Sequence, residues 1–138
     1  MEWMALLLIG RLSVDRDWSG STVSLGAAGA SLLPVWGFKD PLMSVLFLIP
    51  GLLIDFAFRR AGRWRSSLIF LSLAGGLAHI SKPLLRGAAA AGLGLSYGFL
   101  RDGLAYGVML HFIFGAIGGG IAYLFVLGAK EIHGREEA

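Results

Sequence analysis

Few side chains in this sequence can do chemistry, and they stand singly among apolar neighbours. Asp55 is the one acid deep inside an apolar run, Leu42–Phe58, and His79 lies near the end of the next run. His111 begins a third, four residues before Gly115, and Tyr97 flanks the polar turn Arg101-Asp102. An ionisable group in such a setting is costly without a partner or water, so it marks a candidate binding position. A solute pocket in a helix bundle needs only a few polar groups among apolar walls. Asp55, His79, Tyr97 and His111 are therefore the substrate-binding candidates. Each has a plainer reading. Asp55 can pair with Arg59, one helical turn on. His111 can bond a carbonyl of a neighbouring helix. Lys82 and Arg86 can snorkel to a polar boundary. Tyr97, Tyr106 and Trp36 can belong to an interfacial aromatic belt.

Other chemistries find no footing. The chain has no cysteine, which removes thiol nucleophiles and cysteine-rich metal sites. Its three histidines lie far apart, with Asp55 and Glu131 as distant acids, and form no recognisable metal set. The nucleotide, zinc-protease and nucleophile-elbow motifs are missing. No catalytic residue, metal site or cofactor is assigned, and a small lipid-modifying enzyme is the weakest reading.

The elements that must position these groups follow from composition. Of 138 residues, 56% are hydrophobic and 15% charged, and the mean hydropathy is +0.72. A soluble domain is about 45–50% apolar and about 25% charged. A chain this small leaves much of its area exposed, so it cannot hide nearly every helix from water. The expected fold is all-α, a polytopic membrane bundle of about five short transmembrane helices in one domain, 1–138, in the cell membrane. The net charge of +3 is distributed between apolar runs and flanks a membrane rather than tracking nucleic acid.

The start of the chain lacks the basic stretch and cleavage site of a signal peptide. Residues 1–21 read as an interfacial helix followed by a polar segment, and 130–138 as a frayed tail. The spans expected between them are Thr22–Phe38, Leu42–Phe58 with a kink at Pro50-Gly51, Ser66–Ser81, Pro83 or Arg86 to Leu100, and Leu104–Leu127. The stretch 66–100 reads either as two thin spans or as a re-entrant hairpin. The run Arg59–Arg65 carries four positive charges and no negative one, which places it in the cytoplasm. Strict alternation then puts the C-terminus outside; a re-entrant 66–100 returns it to the cytoplasm.

Small residues recur at spacing four, which places them on one helix face. Gly26 and Ala30 form one such pair, Ala88, Gly92, Ala90, Gly94 and Gly98 another register, and Gly115, Gly118, Gly119 and Ala122 a third. Faces of this kind let two backbones approach, and association in lipid depends on that. They serve either another subunit or packing within the chain.

Two stretches together resemble a known family. Asp40–Phe58 (DPLMSVLFLIPGLLIDFAF), with Pro41, Gly51 and Asp55, resembles the loop and helix of substrate-binding membrane subunits of energy-coupling factor (ECF) vitamin transporters. His111–Phe125 (HFIFGAIGGGIAYLF) resembles their glycine-rich last helix. The resemblance implies binding of a small vitamin-like solute and docking on a transmembrane coupling subunit with ATPases, the docking falling to Gly26 and Ala30. The chain departs from that family in offering five helices where six are usual. The competing expectation is a non-transporting scaffold or assembly subunit packed through its glycine faces. Membrane lipid is a partner in either case.

Overall fold

The computed structural model describes residues 2–14, 16–33, 41–94 and 103–136. Among them are six α-helices and no strand: α1 (Glu2–Ser13), α2 (Ser19–Ser31), α3 (Pro41–Ala61), α4 (Leu68–His79), α5 (Ser81–Leu93) and α6 (Leu104–Glu136). The all-α expectation holds. Two helical runs are long and apolar enough to cross a membrane, Leu68–Leu93 with 26 residues and Leu104–Leu127 with 24. At 1.5 Å per residue they reach about 39 and about 36 Å, against about 30 Å of bilayer hydrocarbon.

The first of these runs covers most of the stretch 66–100 as a single helical run; residues 95–100 lie outside the described residues. Helices α4 and α5 are separated only by Ile80, itself in right-handed helical geometry. Backbone bonds continue across the junction, from Ile80 N to the Gly76 carbonyl and from Leu84 N to the Ile80 carbonyl, each at 3.2 Å. The interruption has a local cause, because Pro83 brings no N–H to the His79 carbonyl. The chain therefore does not turn back between α4 and α5, which together form one candidate run rather than two. It ends α5 at Gly94, whose φ of +64° is the left-handed conformation that glycine adopts without strain. Pro50 likewise does not end α3, which runs 21 residues. Helix α2 stops at Ser31, well short of the expected Phe38.

Helix α1 supplies the centre of the core. Met4, Leu7 and Leu8 are fully buried, packed with Ile54 and Phe58 of α3, Leu71, Ala74 and Ala78 of α4, and Ala122 of α6. Trp3, at the start of α1, meets Phe47 edge-to-face at 5.1 Å, and Arg11, at its end, lies over Phe58. Helices α1 and α3 therefore run in the same direction, α4 runs back, and α6 returns. Val126 of α6 then lines a groove with Arg11, Phe58, Arg65 and Ser66. The C-terminal part of the chain thus lies at the same end as the Arg59–Arg65 cluster, correcting the alternation that put it at the other end.

The closest helix contact joins α4 and α6. An added Cβ at Gly115 would strike the Gly75 carbonyl, and one at Gly119 the Leu71 carbonyl. The outside of the bundle is apolar: Ile69, Leu73 and Leu77 form an exposed stripe along α4, and Ile117 and Leu124 stand out from α6. Gly26 of α2, by contrast, has nothing within 4 Å of an added Cβ. Gly119→Leu is expected to cost about 3 kcal/mol of folding stability or more, whereas Gly26→Leu leaves the melting temperature in detergent close to wild type. Equal melting of the two variants would contradict this packing.

Candidate functional site

The polar candidates separate into two groups along α1. The first centres on Asp55, which is completely buried. Its Oδ1 accepts from Gly20 N at 3.0 Å, and its Oδ2 from Ser21 N at 2.7 Å and Ser21 Oγ at 2.6 Å. These are N–H groups of the first turn of α2, which intrahelical bonding leaves unsatisfied. Trp18, at the cap position, gives α2 no side-chain hydrogen bond. Asp55 reaches over from α3 and supplies the missing acceptor, with its charge at the favourable end of the α2 dipole.

Arg11 neutralises that carboxylate. Its Nε lies 2.9 Å from Oδ1, an ion contact in which the N–H is not aligned for a hydrogen bond. The same guanidinium donates to the Val14 carbonyl at 3.3 Å and lies 4.8 Å from the centre of the Phe58 ring. Arg59 is not the partner of Asp55. It contacts the exposed Asp17 at 3.9 Å and lies 4.0 Å over Trp18, an arrangement that contributes little to stability in water. Close approach of α2 and α3 depends on two glycines. A Cβ at Gly20 would come to 2.8 Å from Asp55 Oδ1, and one at Gly51 would collide with Ser24. The far end of this helix pair is tied by Ser31 Oγ and Ser44 Oγ at 2.6 Å.

The sequence did hold a signal for Arg11. Met4, Leu7, Leu8 and Arg11 continue one apolar helical stripe. A charge on that stripe calls for a buried counter-charge, and Asp55 was the one acid deep in an apolar run.

The second group lies where α1, α3, α4, α5 and α6 meet. The His79 and His111 rings approach with centroids 4.9 Å apart and tilted by 58°. His79 is 8% exposed, and its Nδ1 is buried without a hydrogen-bond partner. His111 Nδ1 is 2.9 Å from the Gly107 carbonyl, one turn back on its own helix, which orients the ring through that nitrogen. Gly115 makes the meeting of the imidazoles geometrically available, because its missing side chain admits Cβ of His79 at 2.7 Å from where its own would stand. Lys82, one turn beyond His79, places Nζ 4.1 Å over Phe47 and 5.7 Å over Trp3.

Of the four sequence candidates, His79 and His111 are brought together, Asp55 is held elsewhere, and Tyr97 falls outside the described residues, as do Trp36, Gly98 and Arg101. Gly115, Gly118, Gly119 and Ala122 are buried, Gly115 and Gly119 directly against α4. Gly26 and Ala30 are exposed. Among the described residues no group of three metal-binding side chains forms. No protein-family model matches the chain, and no curated protein or solved structure shows significant similarity to it.

Asp55→Asn would leave Arg11 buried without its counter-charge, at a cost of about 3 kcal/mol or more in folding stability. Arg11→Met in the Asp55→Asn background should recover part of that loss, because no charge then remains buried. Thermal unfolding of both variants checks the pair, and an unaltered melting temperature for Asp55→Asn would contradict its role.

Proposed function

We propose that this chain is a multi-pass membrane subunit that binds a small solute at the His79–His111 pair and works in its uptake with partner subunits. The observation that carries the reading is that pair itself: two imidazoles from separate helices meet beside Lys82 in apolar surroundings. Polar groups converging inside such a bundle are expensive to maintain without a ligand to meet. Asp55 drops out of the ligand set, because its oxygens are already engaged with Arg11, Gly20 and Ser21.

Membrane residence is supported by the two long apolar runs and by the apolar exterior they present. Helix α3, at 21 residues and about 31 Å, is a third candidate to cross. Helices α1 and α2, at 12 and 13 residues, are too short alone. With Arg59, Arg60, Arg63 and Arg65 in the cytoplasm, the imidazole pair lies in the half of the bundle away from that face. A solute arriving from outside would meet it there. The C-terminal end of α6 would share the cytoplasmic side with the arginines.

The chain has no nucleotide motif, so uphill movement needs another subunit or an ion gradient. The exposed small-residue face of α2, with Gly26, Gly29 and Ala30, is the surface this reading offers to a partner. The resemblance to ECF substrate-binding subunits points in the same direction and makes that partner a transmembrane coupling subunit with ATPases. The same face favours one alternative, an assembly subunit that holds a partner and binds no solute.

Native mass spectrometry of the protein gently extracted from its own membrane tests both. Solute uptake predicts a co-purifying small molecule, held about tenfold more weakly or worse by His111→Ala. Gly26→Leu should release a partner while leaving the solute bound. A partner-bound chain empty of solute across mild extraction conditions would favour assembly over uptake.

A further inference from the structure

We infer that the His79–Lys82–His111 site takes an anionic group, a carboxylate or a phosphate; as a statement about a transported solute this rests on the uptake reading, whereas the chemistry of the site does not. Each neutral imidazole gathered here brings one donor and one acceptor nitrogen, and the other groups add donors. Trp3 Nε1 can only donate and Lys82 offers three N–H bonds. Lys82 and Arg86 lie close enough for their charges to act on His111, and Lys82 acts on His79 as well. No carboxylate faces the group among the described residues. Glu2, beside Trp3 in sequence, is exposed. Asp55 is bound to Arg11, eight residues and about 12 Å further along α1.

Two observations single out a ligand rather than a structural role. His79 Nδ1 and Trp3 Nε1 are both buried without hydrogen-bond partners, and a buried polar atom left in that state costs free energy. Lys82 sits near the middle of the 26-residue run Leu68–Leu93, not at its end, so reaching a polar boundary does not account for it. It lies against the faces of Phe47 and Trp3. Such rings stabilise a cation without accepting its hydrogen bonds in the plane of a lone pair. Its N–H groups remain suited to an oxygen anion, which would offset the charge and satisfy several donors at once. A cationic ligand would meet repulsion, and a neutral one would leave the lysine charge uncompensated.

The anion can belong to a free solute or to a lipid headgroup, and the two are separable. The protein, labelled with ¹⁵N in its histidine rings, is placed in nanodiscs of phosphatidylcholine and titrated with inorganic phosphate and with acetate. A parallel sample contains phosphatidylglycerol. The expected result is a saturable shift of the His79 and His111 resonances, and binding about tenfold weaker or worse in Lys82→Met. A response confined to the phosphatidylglycerol discs keeps the anion site and assigns it to lipid, which removes the solute reading. No response of the wild-type protein to any of the three anions overturns the inference, independently of how the variant folds. Displacement of the pair by a co-purified neutral or cationic solute overturns it too, while leaving solute binding in place.

Discussion

The arrangement of the first three helices depends on one carboxylate. Asp55 holds the N-terminus of α2 and pairs with Arg11 at the end of α1, so a single buried side chain on α3 fixes two other helices. Each partner explains the other's tolerance of burial. The carboxylate needs a counter-charge and hydrogen-bond donors to be tolerated away from water; Arg11 and the open N–H groups of α2 provide both. The short helices are tied down by this arrangement. At 12 and 13 residues, α1 and α2 are near the length at which an isolated helix is only marginal. Their order comes from the contacts that α1 makes in the core and from the cap that α2 receives from another element.

The other half of the bundle is organised by the absence of side chains. Gly75, Gly115 and Gly119 let α4 and α6 approach until one backbone lies against the other. That approach maximises dispersion contact between the two helices. It has a second consequence for the candidate site. Because Gly115 gives way to His79, two rings that would otherwise be kept apart come to 4.9 Å. The glycine face and the imidazole pair are therefore one feature: the packing surface creates the place where the polar groups converge.

The two polar groups along α1 have different characters. At Arg11 and Asp55, charge meets charge and the carboxylate oxygens are matched by donors, while Arg11 Nε and the neighbouring Ser24 Oγ lack an aligned hydrogen bond. Around His79, Lys82 and Trp3, a cation lies against aromatic faces and two buried nitrogens lack a hydrogen bond.

Composition and periodicity alone determined that the chain is helical, that its helices are unusually apolar, and that Asp55, His79 and His111 are the polar side chains that need explaining. Those properties are local: hydropathy is a sum over neighbours, and helix face follows from a fixed turn per residue. The junction at Ile80 was harder to read. Lys82-Pro83 signals a break, but a proline that costs one backbone bond can be carried within a longer run once neighbouring helices hold both sides. The partner of Asp55 was decided only by tertiary structure. Arg59 is near in sequence and Arg11 is near in space, and spacing along a helix reports only the first. The fate of the glycine faces was settled in the same way. Gly26 with Ala30 and Gly115 with Gly119 carry the same four-residue spacing, yet the first pair is exposed and the second is buried against α4. A repeat of small residues states that a close approach is available; which helix makes it depends on how the whole chain is threaded.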